Sequence, residues 1–286
     1  MENRMNLQIS LNDGRLIGFA EYGSPDGKPV VYCHGFPSSR LDWQLFHDDK
    51  ALLELAVRVI AIDRPGYGLS DPKRGRKLLD WPSDVADLAD RLGIDHFAVL
   101  GISGGGPFAL SCAYRLSDRL TRVGIVSGMG PSDSPGMKEG VSWTIPGTPA
   151  LMRRFILMLT SMGIKGDPDK FMARSKASFS ELDTKLLDRP ELADLFIIGM
   201  QEAFRQGVGA AGQDASIYKS PWGFGLQEIT AEVQLWHGEQ DLNVPVSVAQ
   251  YVAEAIPGCQ ARFHQGEGHL TLAHNHIREI LETLIM

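Results

Sequence analysis

The sequence predicts an α/β fold: a mostly parallel, doubly wound sheet interrupted by a helical insert. Three observations point there. Val30–Cys33, Val57–Ile62 and Phe97–Leu100 are short, β-branched-rich and nearly continuous in apolarity, the texture of strands covered on both faces. Between them, Asp42–Leu55 and Leu79–Leu92 carry apolar residues at three- and four-residue intervals, so helix and strand alternate as right-handed crossovers require. From about Pro131 to Ile229 the strand pattern stops and helical spacing takes over, notably over Ala150–Met162 and Glu191–Gln206.

Taken in order, Asn6–Ser10 and Arg15–Tyr22 alternate like half-buried antiparallel strands, with the turn signal Asn12-Asp13-Gly14 between them. The parallel segments follow, and a strand over Arg122–Ser127 ends the first block. Strand character returns at Glu232–His237 and Gln260–His264, with helices expected from about Pro245 to Ala255 and from about Leu270 to Ile285. The division expected is a core in two parts, residues 1–130 and 230–286, around a helical insert over 131–229.

Composition removes several function classes. Lys and Arg total 28 against 35 Asp and Glu, a net charge of -7, so no positive field is available for a phosphate backbone or an anionic membrane. Cys33, Cys112 and Cys259 stand far apart without metal-ligand spacing, and an odd count closes no disulfide framework. The first residues lack an apolar leader region and no apolar run approaches a bilayer span. A reducing, cytoplasmic setting is the expectation, with no nucleic acid or membrane as partner.

Gly101-Ile102-Ser103-Gly104-Gly105 fits G-x-S-x-G and sits after the strand His96–Leu100 and before a helix. Glycines on both sides permit the sharp turn that exposes a nucleophile. The helix N-terminus adds a positive dipole end beside a developing oxyanion. The Gly104 N–H is one candidate oxyanion donor. His34-Gly35-Phe36-Pro37, directly after an apolar strand, offers the Phe36 N–H as the second and places His34 among the substrate-contacting residues.

These blocks resemble the α/β-hydrolase superfamily. So do Asp63-Arg64-Pro65-Gly66-Tyr67-Gly68-Leu69-Ser70-Asp71, Trp236-His237-Gly238-Glu239-Gln240-Asp241 and Gly266-Glu267-Gly268-His269. The resemblance covers the chain apart from the insert, and it implies the chain order Ser, Asp, His for a catalytic triad. It also disfavours epoxide hydrolase and haloalkane dehalogenase chemistry, since those relatives place aspartate where Ser103 stands.

Of the eight histidines, only His269 follows the final strand with glycine before it and a helix after it, and it is the expected base. His264 falls in the strand, and His274 and His276 fall in the helix. Asp241 is the expected acid, with Glu239 its neighbouring rival and Asp133, after the sixth strand, a second alternative. An insert at this point in such a core lies over the serine as a cap. Its apolar candidates for the substrate wall include Trp143, Met152, Phe155, Met158, Phe171 and Met200.

The function expected is cleavage of an ester-like bond in a mainly apolar small-molecule substrate through a Ser103 acyl-enzyme, without metal or organic cofactor. Amide cleavage of the prolyl iminopeptidase kind is the closest rival and needs a carboxylate in the cap, for which Glu181, Glu191 and Glu202 are candidates. A ligand-sensing protein with slow turnover is the alternative outside enzymology.

Overall fold

The computed structural model describes residues 4–286. Among them, strands β1 (Leu7–Ser10), β2 (Leu16–Gly23), β3 (Lys28–Cys33), β4 (Val57–Ile62), β5 (Phe97–Ile102), β6 (Leu120–Val126), β7 (Val233–Gly238) and β8 (Gln260–His264) form one sheet. Its order is β1-β2-β4-β3-β5-β6-β7-β8. The opening hairpin pairs Leu7 with Phe19, and β2 runs antiparallel to β4; every other neighbouring pair is parallel. Two apolar clusters result, one on each face. Phe97 and Val99 enter the first, and Ala98 and Leu100 the second, which is the two-residue period of a strand buried on both sides.

The helices are α1 (Asp49–Glu54), α2 (Trp81–Arg91), α3 (Gly106–Arg115), α4 (Ala150–Gly166), α5 (Pro168–Ser175), α6 (Glu181–Leu187), α7 (Pro190–Ala203), α8 (Gly209–Lys219), α9 (Val246–Ala255) and α10 (Thr271–Ile285). No helix among the described residues is long and apolar enough to cross a membrane. The single helix expected over Asp42–Leu55 is two pieces, a 3-10 turn at Arg40–Leu45 and then α1. Two caps cause the break: Ser39 Oγ accepts from the Leu41 N–H, and Asp48 Oδ1 accepts from the Ala51 N–H at 3.1 Å. The chain between β6 and β7 contains α4 to α8 and no strand. Within it, α7 packs on the 3-10 turn, where the Ser39 hydroxyl donates to the Gly199 carbonyl at 3.0 Å.

The helix after β5 is seated unusually close to β3. A β-carbon on Gly105 would overlap the carbonyl oxygen of Cys33, so only glycine lets α3 start there. Gly105→Ala is therefore expected to cost at least ~2 kcal/mol in equilibrium denaturation, since backbone has no rotamer with which to yield. Gly166→Ala, at the end of α4 with nothing within 4 Å of the new carbon, should change stability by less than about 0.5 kcal/mol. Equal losses at the two positions would mean that the contact between α3 and β3 is looser than described.

Candidate active site

Ser103 occupies the turn between β5 and α3 with φ +53, a left-handed conformation that a serine adopts only where the surroundings enforce it. Asp241 lies in the loop after β7, and His269 in the loop between β8 and α10. The three side chains, 166 and 28 residues apart in pairs, form one line. His269 Nε2 is 2.9 Å from Ser103 Oγ, and His269 Nδ1 is 2.7 Å from Asp241 Oδ2. Asp241 is deeply buried and its other oxygen accepts the N–H groups of Asn243 and Val244, at 2.8 and 2.9 Å. An ionised carboxylate only accepts, so Nδ1 carries the imidazole proton and the Nε2 lone pair faces the serine.

The charges agree with that arrangement. Burial pulls the His269 pKa down, but the charge and hydrogen bond of Asp241, with Asp183 adding, more than offset it and hold the group above its ordinary 6.5. Burial pushes Asp241 up, and its bonded neighbours, His269 first, bring it below its ordinary 3.8.

Two peptide planes beside the serine are fixed from their carbonyl ends. Ser103 O accepts the Met129 N–H at 3.0 Å, which sets the plane carrying the Gly104 N–H. Gly35 O accepts from Arg64 Nη2 and from His34 Nδ1, both at 2.9 Å, which sets the plane carrying the Phe36 N–H. The two amides are neighbours, for a β-carbon on Gly104 would lie 3.1 Å from Phe36 N.

This corrects the expectation for His34. Its ring is fully buried, both nitrogens are engaged (Nε2 accepts the Arg64 N–H at 3.2 Å), and it holds backbone rather than substrate. Burial and then the Arg64 charge keep it well below 6.5, hence neutral.

A cavity of about 270 Å³ opens on Ser103 and His269. From the insert it is lined by Val141, Ile145, Phe171, Phe179, Phe196 and Met200 among others. Phe171 and Met200 thus stand where the sequence placed them, but Trp143, Met152, Phe155 and Met158 do not. Helix α4 turns Arg153, Leu157, Ser161 and Ile164 inward and leaves Met152, Phe155 and Met158 on its outer face, 58%, 56% and 44% exposed. Trp143 packs on the core cluster that contains Phe108 and Val248. The stripe on α4 has the right period, and period alone does not say which side faces the protein.

Other expected acids lie elsewhere. Asp133 and Glu239 are exposed. Glu181 and Glu191 are exposed and paired with Lys185 and Arg189, and Glu202 is paired with Arg40 at 2.7 Å. For a metal, His264, His276 and Glu279 bring three ligand atoms within 4.8 Å of one another. Two of the three are already engaged, because His276 lies between Glu267 and Glu279, and Glu279 also accepts from the Trp236 indole, while His264 Nε2 has no hydrogen-bond partner.

Three carboxylates that sequence reasoning missed govern the site. Asp183, at the start of α6, is fully buried; Oδ2 accepts the His269 N–H at 2.9 Å, and Oδ1 accepts those of Leu270 and Thr271 at 2.7 and 3.0 Å. It thus caps α10 from another segment of the chain. Gly268 leaves room for it, since a β-carbon there would stand 2.5 Å from Asp183 Oδ2. Asp214 on α8 accepts from Arg64 Nε at 2.9 Å and from Arg76, holding the guanidinium that holds Gly35. Asp42 lines the cavity itself; burial pushes its carboxyl up to about 7, against the lowering effect of the Gly35 N–H, the Tyr32 and Ser38 hydroxyls and Arg64. Ser180-Glu181-Leu182-Asp183 reads in sequence as a local capping box, and Ser180 Oγ does accept from the Asp183 N–H. Nothing in that pattern says that the carboxylate reaches the histidine loop.

Comparison with known proteins bears on the fold and the family. A family model described as the alpha/beta hydrolase fold matches residues 28–273. A non-heme chloroperoxidase from Streptomyces lividans is 36% identical over 43% of this chain and 45% of its own. Epoxide hydrolase B from Mycobacterium tuberculosis is 35% identical over 40% of this chain and 33% of its own. The chain therefore spans less than half the length of these two curated relatives. Among solved structures, an esterase from Exiguobacterium antarcticum superposes with a TM-score of 0.72 over 98% of both chains at 22% identity, a likeness of fold alone. With the family matched from β3 into α10, and Ser103 seated between strand and helix, this chain belongs to the alpha/beta hydrolase fold family.

Proposed function

We propose that the protein is a serine hydrolase that cleaves an ester-like bond in a small substrate through an acyl-enzyme on Ser103. The observation that carries this reading is the unbroken line from Asp241 through His269 to Ser103 Oγ, which opens on a cavity of small-molecule size. The insert acts as a cap that supplies part of the cavity wall.

In this scheme His269 Nε2 takes the hydroxyl proton as Ser103 Oγ attacks the carbonyl carbon. Asp241 keeps the imidazole in the required tautomer and stabilises the imidazolium. The N–H groups of Phe36 and Gly104 receive the oxyanion; donors fixed before the reaction need no reorganisation as charge develops. The alcohol leaves with the proton from His269, and a water activated by the same nitrogen then hydrolyses the acyl-serine. Serine decides against alkyl transfer. Opening an epoxide or displacing a halide with Oγ would leave an ether, which water attack at a carbonyl cannot release.

Asp183 is a positioning residue in the same scheme. It fixes the backbone that carries the imidazole, and its charge favours the imidazolium.

Three outcomes test the proposal. Ser103→Ala should abolish turnover of short acyl esters, and Asp241→Asn should lower kcat by about 10⁴-fold, the loss expected when the wrong tautomer is held; substantial turnover by either variant would remove the triad. Because the base must be neutral and its pKa is raised, kcat/KM for an uncharged ester should fall on the acid side with a midpoint above 6.5. A limb well below that value would mean that a different group titrates. Asp183→Asn should move this limb toward lower pH and reduce kcat more than KM, whereas a purely structural role would lower stability and leave the limb in place.

A further inference from the structure

The carboxyl of Asp42 is the unexplained charge in the cavity. Among the lining residues it is the one carboxylate, no lysine or arginine is present, and the rest of the polar lining away from His269 and Ser103 is neutral, including Ser142, Thr144, Thr160, Ser178 and Asn243. Asp42 Oδ2 accepts the Gly35 N–H at 3.0 Å, and the Tyr32 and Ser38 hydroxyls favour its charged form, while Oδ1 is shut away from the cavity and makes no well-formed hydrogen bond. Its place is next to the reacting serine. The point where a β-carbon on Gly35 would stand is 3.6 Å from Asp42 Oδ2 and 3.8 Å from Ser103 Cβ. A buried carboxyl without a basic partner in contact is costly to keep, and a neutral amide or hydroxyl oxygen would serve the Gly35 N–H without that cost. The one well-formed bond, from a backbone N–H, leaves Oδ2 with accepting capacity to spare.

We infer that Asp42 selects the substrate: it accepts a hydrogen bond from an N–H or O–H substituent close to the scissile ester, so donor-bearing esters are preferred over plain hydrocarbon ones and carboxylate-bearing esters are rejected. The inference rests on ester cleavage at Ser103 and replaces the expectation of a mainly apolar substrate. A protonated amine is bound best, since it supplies the countercharge that the cavity lacks. With burial pushing the carboxyl up to about 7, both its forms are populated near neutral pH, and a hydroxyl finds an acceptor oxygen in either.

The test uses methyl butyrate, methyl 3-hydroxybutyrate, methyl 3-aminobutyrate and monomethyl succinate. Each is assayed by pH-stat with the wild type, Asp42→Asn and Asp42→Leu, all three checked by thermal melting. In the wild type kcat/KM for the amino and hydroxy esters should exceed that for butyrate by about tenfold, the scale of one charge-assisted hydrogen bond, with the succinate ester lowest. Asp42→Asn should lose the amine preference and rejection of the succinate, and keep part of the hydroxyl preference; Asp42→Leu should lose all three. A residue that merely supports the Gly35 loop would change every ester alike. The same compounds titrated calorimetrically into Ser103→Ala read binding without turnover. If the wild type hydrolyses butyrate but all three proteins share one order of preference, the role of Asp42 is overturned and the hydrolase reading stands. If no ester turns over yet the donor preference appears in binding and disappears in the Asp42 variants, the hydrolase reading falls and the selection by Asp42 stands.

Discussion

Buried charge shared between the insert and the loops of the sheet is the constraint on which the rest of the site depends. Arg64 is fully buried and spends its guanidinium on the carbonyls of His34 and Gly35 and on Asp214 of α8. Arg40, equally buried, joins Asp63 to Glu202 of α7, and Asp183 of α6 takes the first amides of α10. Such contacts add little net stability over apolar packing, yet removing one partner strands a charge and costs roughly 3–5 kcal/mol. Their value lies in geometry. Each makes several bonds at once, and each fixes a loop that carries a piece of the site.

That fixing works at the level of the peptide plane. For the Gly104 and Phe36 amides beside Ser103, the carbonyl at the far side of each planar unit is what is tied down. Met129 does this for the Ser103–Gly104 peptide, and Arg64 with His34 does it for Gly35–Phe36. The donors are left free for a ligand while their directions are set. The imidazole is treated the same way, with its backbone held by Asp183 and its ring by Asp241.

Much of this was legible in the residues, and the limit has a physical form. Strand texture, the glycines around Ser103 and the position of His269 after the last strand are local signals, and the sheet and the places of Ser103, Asp241 and His269 in it follow from them. Helix faces were half legible: the apolar period of α4 was visible, but a period has no sign, and the side bearing Met152, Phe155 and Met158 turned out to face solvent. The linking carboxylates were not legible at all. Asp183 lies 86 residues from the amide of His269 that it accepts, and Asp214 lies 150 residues from Arg64, so each looks in sequence like an ordinary polar residue of a helix. Gly268 reads in sequence as the glycine before the histidine, and only the folded chain shows that its missing β-carbon leaves room for Asp183.

The route by which α10 is capped bears on how such a protein can change over evolutionary time. An insert between two strands is the natural unit for exchange, since both of its ends leave the same sheet and the sheet closes without it. Here the exchange is constrained. A foreign insert would bring its own walls but remove the acceptor for three amides at the histidine loop, together with the acids that face Arg64 and Arg40. Specificity can therefore drift residue by residue along the cavity side of α5 and α7 far more easily than by wholesale replacement, and any donor insert would have to carry an acid at the place of Asp183 to be accepted.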